Sequence, residues 1–279
     1  MDVLYGLLYS GVFIYICDTI WSAWSHYEKL EQVPLIDTLS LSSNNFDSRN
    51  KTYICHNTNT FIKKSYKYEY ETLIKLKDID EVINVINPYI CINEDECYIP
   101  MPYLKNWVIL SEYNSNRRLL IELFIKICRG LEKIHNTGVI HCDIKPDNIM
   151  VSPNEDIVFI DFEPTGGTSG YIAPEIIYDK YDESIYTTAV DIWSLGMTML
   201  NVYIEDVNNE LYKLTGLCNN TKKSQIIEME RNINILINHS TSDTIDAKMA
   251  DLFVKILCIE PDKRIGLSII IDELNMIYT

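Results

Sequence analysis

One stretch limits what this chain can become. Val139-Ile140-His141-Cys142-Asp143-Ile144-Lys145-Pro146-Asp147-Asn148-Ile149-Met150 sets a carboxylate, an amine and an amide close together between apolar flanks. Eighteen residues after Asp143 stands Asp161, within Val158-Phe159-Ile160-Asp161-Phe162-Glu163, an apolar run with a second acidic position. Three more blocks follow in order: Gly167-Thr168-Ser169-Gly170-Tyr171-Ile172-Ala173-Pro174-Glu175, Asp191-Ile192-Trp193-Ser194-Leu195-Gly196 and Glu260-Pro261-Asp262-Lys263-Arg264. One such block can arise by chance; five in this order and spacing do not.

The surroundings are those of a folded domain. With 47% hydrophobic and 23% charged residues, wholesale disorder is excluded. A chain of 279 residues can bury a sizeable core without covalent staples. Its 24 Lys+Arg against 40 Asp+Glu give a net charge of −16, which argues against a main role in gripping nucleic acid. A phosphorylated ligand stays open, because it needs only a few local cations and backbone N–H groups. The eight cysteines form no C-x-x-C pair and have no zinc spacing, so they read as reduced thiols of a cytoplasmic-type compartment.

Val3–Cys17 is a nearly unbroken apolar run, and no Lys or Arg occurs before Lys29. Fifteen residues fall short of the roughly 20 that a spanning helix needs, and the positive region of a secretory signal is missing. Two readings stay open: an extension packed on the main domain, or a membrane association through residues 3–24.

Further on, Val33–Lys64 is rich in β-formers broken by Ser/Asn/Asp clusters, which predicts short antiparallel strands. The spacing predicts a helix over Tyr68–Ile79, then a hairpin of Tyr89–Ile92 and Tyr98–Tyr103. From Asn116 the pattern turns helical. Leu119–Asn136 carries Leu120, Leu123, Ile127, Leu131 and Ile134 on one face, and later helices fit Val190–Tyr203, Ala247–Cys258 and Ile269–Met276. A β-rich third before a helical two-thirds predicts an α+β protein of two packed lobes, with a ligand expected between them.

The five blocks resemble the eukaryotic-type protein kinase family, in its Ser/Thr branch. They match H-R-D-x-K-P-x-N, D-F-G, G-T-x-x-Y-x-A-P-E, D-x-W-S-x-G and D-P-x-x-R. The resemblance runs from about Leu35 to the C-terminus and is strong from Leu119. It implies a kinase domain over 35–279, with an N-lobe of about 35–104 and a C-lobe of about 105–279, after an apolar segment at 1–34. It also implies ATP and Mg²⁺ as cofactors. Asp143 would then orient the proton of the attacking hydroxyl, and Lys145 would sit beside the γ-phosphate. Asn148 and Asp161 would hold the metal through oxygen, as suits a hard cation. Lys145 and Thr168 point to the Ser/Thr branch. Glu175 and Arg264 match a buried ion pair, and Asp191 matches a residue that holds the catalytic-loop backbone.

In the small lobe, Thr60-Phe61-Ile62-Lys63-Lys64 resembles V-A-I-K-K, which puts Lys63 on the α/β-phosphates, with Lys64 as the alternative one residue on. Glu69 fits the partner of Lys63 better than Glu71, although only six positions separate Lys63 from Glu69. Met101-Pro102-Tyr103-Leu104 resembles the hinge, so the Pro102 carbonyl and the Leu104 N–H would face adenine. Ser42-Ser43-Asn44-Asn45-Phe46-Asp47 stands where the family has G-x-G-x-F-G. Ser42, Asn44 and Phe46 would then line the nucleotide; the alternative is an ordinary β-turn with no phosphate role.

Three departures matter. Cys142 replaces an Arg that receives a phosphate in the family, and Asp161 to Glu175 is only fifteen residues. Together they imply a kinase that is not regulated by activation-loop phosphorylation. Glu163 replaces a Gly next to the metal position. Two functions are carried forward: transfer of the γ-phosphate of ATP to protein Ser/Thr hydroxyls, or a pseudokinase that serves as a binding module. Asp147 and the acidic Asp179–Glu183 stretch suggest basic protein substrates.

Overall fold

The computed structural model describes residues 46–47, 52–55, 59–86, 90–91, 95–162, 164, 166–178, 181–204, 231, 234 and 244–279. The apolar segment at 1–34, Ser42, Asn44 and Glu163 lie outside them. Among the described residues, no helix is long and apolar enough to cross a membrane. The chain divides into two units, one of Met1–Ile74 and Asn84–Tyr103, the other of Lys75–Ile83 and Leu104–Thr279.

The smaller unit is built on a five-stranded antiparallel sheet in the order β1-β2-β3-β5-β4, where β1 is Phe46–Asp47, β2 Thr52–Cys55, β3 Thr60–Tyr66, β4 Ile90–Cys91 and β5 Glu96–Pro102. The central pairing sets Lys63 opposite Ile99 and Phe61 opposite Met101. Asn59 carries β2 into β3 with a left-handed backbone (φ 52°), a conformation asparagine tolerates better than most residues. Its carbonyl accepts the Tyr103 N–H at 2.9 Å, so the ladder continues one residue past β5.

β3 runs without a loop into helix α1, Lys67–Lys75. Glu69 in its first turn and Lys75 in its last suit the helix dipole. Glu69, Thr72 and Leu73 form the buried face. The helix stops four residues short of the predicted Ile79. The apolar spacing persists, but Leu76 and Ile79 fall in turns because the following residues pair elsewhere. Phe159 N–H donates to the Glu81 carbonyl and Ile83 N–H to the Phe159 carbonyl, which draws Lys75–Ile83 into the larger unit.

The larger unit is mainly helical. Helix α2, Arg117–Asn136, starts at Asn116, whose side chain accepts the Leu119 N–H at 3.0 Å. Its predicted apolar face is buried, with Phe124 added to it. After the short α3 (Pro174–Tyr178) comes α4, Thr188–Tyr203, which is apolar nearly all round and buried accordingly. Gly196 lets the end of α5 (Thr244–Ile256) approach closely; a Cβ there would lie 2.5 Å from the Ile256 side chain. Helix α6, Leu267–Tyr278, packs along α2. A small antiparallel sheet of β6 (Val108–Ile109), β7 (Ile149–Val151) and β8 (Ile157–Phe159) completes the unit.

One ion pair ties these pieces together. Arg264 reaches both carboxylate oxygens of Glu175 at 2.6 Å and donates to the carbonyls of Cys258, Ala189 and Ile259. Its guanidinium also lies 5.1 Å from the centre of the Trp193 ring. Removing Glu175 leaves a buried guanidinium without its counter-charge. Glu175→Ala is therefore expected to lower unfolding stability by about 3–5 kcal/mol in urea titration. A loss under about 1 kcal/mol would show that the three carbonyls suffice.

Candidate active site

The loop His141–Asn148 is shaped by a carboxylate beneath it. Asp191, fully buried on α4, accepts the His141 N–H at 2.8 Å and the Cys142 N–H at 2.9 Å. His135 Nε2, from the last turn of α2, meets the same carboxylate at 2.8 Å. Pinned in this way, Cys142 takes a left-handed backbone (φ 65°), a costly state for a non-glycine residue that its surroundings must enforce.

His141 forms the next layer. The Asp143 N–H donates to its Nδ1 at 3.3 Å, so the ring proton sits on Nε2 and is donated to the Ile160 carbonyl at 3.1 Å. The ring stacks on Phe162 with centroids 4.3 Å apart. Burial pushes the imidazole below its usual pKa, against the opposing pull of Asp191 and Asp143, which favours the neutral form. Through this ring the His141–Asn148 loop is tied to the chain just before Asp161.

Asp143 is 5% exposed, and its two oxygens differ. Oδ2 accepts Lys145 Nζ at 2.7 Å and Asn148 Nδ2 at 2.9 Å. Oδ1 is buried and has no hydrogen-bond partner among the described residues. An unpaired buried carboxylate oxygen is unfavourable, and an incoming donor would relieve it. Lys145 Nζ also donates to Thr168 Oγ1 at 2.7 Å, so one ammonium joins the loop to the segment after Asp161.

Asn148 and Asp161 are neighbours because of the β7–β8 register. Ile149 pairs with Phe159, and the Ile160 N–H donates to the Asn148 carbonyl at 3.0 Å. Asp161 follows directly, with φ 67°. Asn148 Nδ2 is taken up by the Asp143 carbonyl and carboxylate, at 2.8 and 2.9 Å, which leaves Oδ1 as its other polar atom. An amide oxygen and a carboxylate are hard donors that fit Mg²⁺. Among the described residues there is no cluster of three or more His, Cys, Asp or Glu for a metal, and Mg²⁺ commonly binds through one or two carboxylates plus water and phosphate.

In the smaller unit, Lys63 Nζ meets the two Glu69 oxygens at 2.9 and 2.7 Å. Lys64 instead pairs with Glu96 at 2.9 Å, and Glu71 pairs with Lys67 at 3.6 Å on an exposed surface. Met101 is buried; Pro102 ends β5 opposite Thr60. Leu104 stands two residues further on, its carbonyl accepting the Trp107 N–H. Phe46 stands on β1 opposite Tyr53. Three contributors were not singled out by sequence: His135 on Asp191, Ser65 on Glu69, and the backbone approach at Gly167. His135 had no signal beyond its place on α2. Gly167 lay within a recognised block without a stated role.

A protein kinase domain model matches residues 50–274. The chain belongs to the protein kinase family. It is similar to the mitogen-activated protein kinase pmk-3 of Caenorhabditis elegans, 26% identical over 199 residues, covering 57% of this chain and 42% of the relative. It is also similar to the MAP kinase kinase MKK1/SSP32 of Saccharomyces cerevisiae, 31% identical over 140 residues (42% and 27%). A third relative is the ovarian-specific serine/threonine-protein kinase Lok of Drosophila melanogaster, 27% identical over 124 residues (38% and 26%). In each case the matched stretch covers less than half of the relative's length.

The segment after Asp161 is held closely. Gly166 and Gly167 both have φ 104°, but only Gly167 is crowded: a Cβ there would lie 2.8 Å from the Cys142 carbonyl oxygen and 3.9 Å from Asp143 Oδ1. Tyr171 fixes the far end, its carbonyl accepting Ser194 Oγ at 2.8 Å and its hydroxyl accepting Asn201 Nδ2 at 3.1 Å. Alanine at either glycine carries roughly 1–3 kcal/mol of backbone strain. Gly167→Ala must also displace a fixed carbonyl, so it is expected to cost about 1–3 kcal/mol more than Gly166→Ala in chemical denaturation. Equal losses would mean that the close approach is unimportant.

Proposed function

We propose that this chain is an ATP- and Mg²⁺-dependent protein kinase that transfers the γ-phosphate of ATP to serine or threonine hydroxyls of proteins. The observation that carries this reading is the divided carboxylate of Asp143. Lys145 and Asn148 hold Oδ2, and the unpartnered Oδ1 is the atom to accept a substrate hydroxyl proton. Lys145, steadied by Asp143 and Thr168, offsets the charge on the transferring phosphoryl group. Lys63, oriented by Glu69, takes the α/β-phosphates, and the Pro102 carbonyl and Leu104 N–H take the adenine. Ser42, Asn44 and Phe46 complete the nucleotide side. Asn148 and Asp161 would hold the metal; when bound, Mg²⁺ neutralises charge on the phosphate oxygens.

The domain proposed for this activity spans 35–279. Cys142 in place of an arginine, a fifteen-residue stretch from Asp161 to Glu175 and the packing of Gly167 on the Cys142 carbonyl support a segment that needs no phosphate to hold its place. Asp147 is exposed within the His141–Asn148 loop and supports basic protein substrates. The apolar N-terminal segment is proposed to pack on the domain in a reducing compartment, with membrane association through residues 3–24 as the alternative.

The glycine-free Ser42–Asp47 stretch and Glu163 favour the second reading, a binding module without transfer activity. Incubation with Mg²⁺ and labelled ATP separates the two. Transfer to a basic protein is expected, and Asp143→Ala should reduce its rate at least about 100-fold. A wild-type signal no higher than that of the variant, with no shift in melting temperature on adding Mg²⁺-ATP, would overturn the enzyme reading. In the same assay Lys63→Met is expected to raise KM for ATP at least about tenfold more than Lys64→Met, because only Lys63 is paired with Glu69. Equal effects would remove Lys63 from the nucleotide site.

A further inference from the structure

The carboxylate that holds Lys63 has another partner within the same continuous stretch of chain. Ser65 Oγ donates to Glu69 Oε2, one of the two oxygens that Lys63 Nζ also reaches. Ser65 stands two residues beyond Lys63 on β3, so both belong to the same face of the strand. It stands four residues before Glu69, across the point where strand becomes helix without a loop.

Glu69 is 3% exposed, so its charge is almost wholly removed from water and depends on the donors around it. A lysine ammonium is a mobile point charge on a flexible stem and does little to fix a carboxylate's rotation. A short serine side chain anchored to the strand does fix it.

We propose that Ser65 is a positioning residue: by binding Glu69 it aims the carboxylate at Lys63 and thereby fixes the ammonium that meets the nucleotide phosphates. The direct strand-to-helix junction explains the need. With only six positions between Lys63 and Glu69, the helix cannot slide or turn to adjust the pair, and the hydroxyl at the junction sets its geometry instead. This assignment of what Lys63 binds rests on the kinase reading above; the Ser65–Glu69–Lys63 contact does not.

The test has two arms. In steady-state kinetics with varied Mg²⁺-ATP, Ser65→Ala is expected to raise KM for ATP about tenfold, the effect of one lost hydrogen bond to a charged group. Ser65→Thr, which keeps the hydroxyl, should restore KM to within about twofold of wild type. In a Lys63→Met background Ser65→Ala should add nothing, because the route through Lys63 is gone. A Ser65→Ala defect of equal size in that background would overturn the proposal, as would a fall in melting temperature with KM unchanged.

The second arm needs no nucleotide. Brief acylation of the folded protein by an amine-selective ester, followed by digestion and mass spectrometry of the peptide that carries Lys63, reads how firmly the ammonium is held. Ser65→Ala should accelerate it several-fold and Ser65→Thr should not. Unchanged Lys63 reactivity in Ser65→Ala overturns the proposal even if the chain transfers no phosphate. Accelerated acylation in a chain without transfer activity supports the positioning role and rejects only the kinase reading.

Discussion

Much of the larger unit's chemistry depends on where the Asp191 carboxylate sits. It is fully buried in the first turn of α4, a helix that is apolar nearly all round, where an unpaired charge would be severely unfavourable. The backbone N–H groups of His141 and Cys142 and the ring of His135 satisfy it. The same bonds impose a left-handed turn at Cys142 and so determine where Asp143 emerges. Charge burial and loop shape are one constraint: the loop cannot relax without stranding the carboxylate.

The same logic recurs around it. Arg264 is stabilised by Glu175 and three carbonyls, and it joins the segment after Asp161 to the C-terminal part of the chain. His141 is neutral and fully hydrogen-bonded, and links the loop to the residues around Asp161. In the smaller unit, Glu69 is held by Lys63 and Ser65. Each buried charge therefore orders a piece of chain that carries chemistry. Asp143 is held through Oδ2 by Lys145 and Asn148, while its buried Oδ1 has no hydrogen-bond partner among the described residues.

The helices were the most legible part of the sequence. The α2 stripe of Leu120, Leu123, Ile127, Leu131 and Ile134 has a single period over about four turns, and Asn116 supplies a cap at its start. Helix α1 was harder to bound, since Leu76 and Ile79 keep the helical spacing while the chain turns so that Glu81–Ile83 can pair with Phe159 of β8. Periodicity records which residues are apolar, and both residues are; it does not record which partner claims them. The two-residue strand β6 carried little signal, because two residues make no pattern.

For the site, the one-dimensional order was enough to identify the family and to point to Asp143, Lys145, Asn148 and Asp161, because their spacing follows from a loop, a hairpin and a strand end close in sequence. Which acid meets Lys63 was settled only by the fold. Glu69 and Glu71 are two residues apart on a helix and so point in different directions, and the junction at Tyr66–Lys67 turns Glu69 inward and Glu71 to solvent. Ser65, His135 and the close face of Gly167 likewise came only from tertiary structure. A hydroxyl, an imidazole and a missing side chain take on meaning from what lies within about 3 Å of them; packing between distant segments creates that proximity for His135 and Gly167, and the strand-to-helix junction creates it for Ser65.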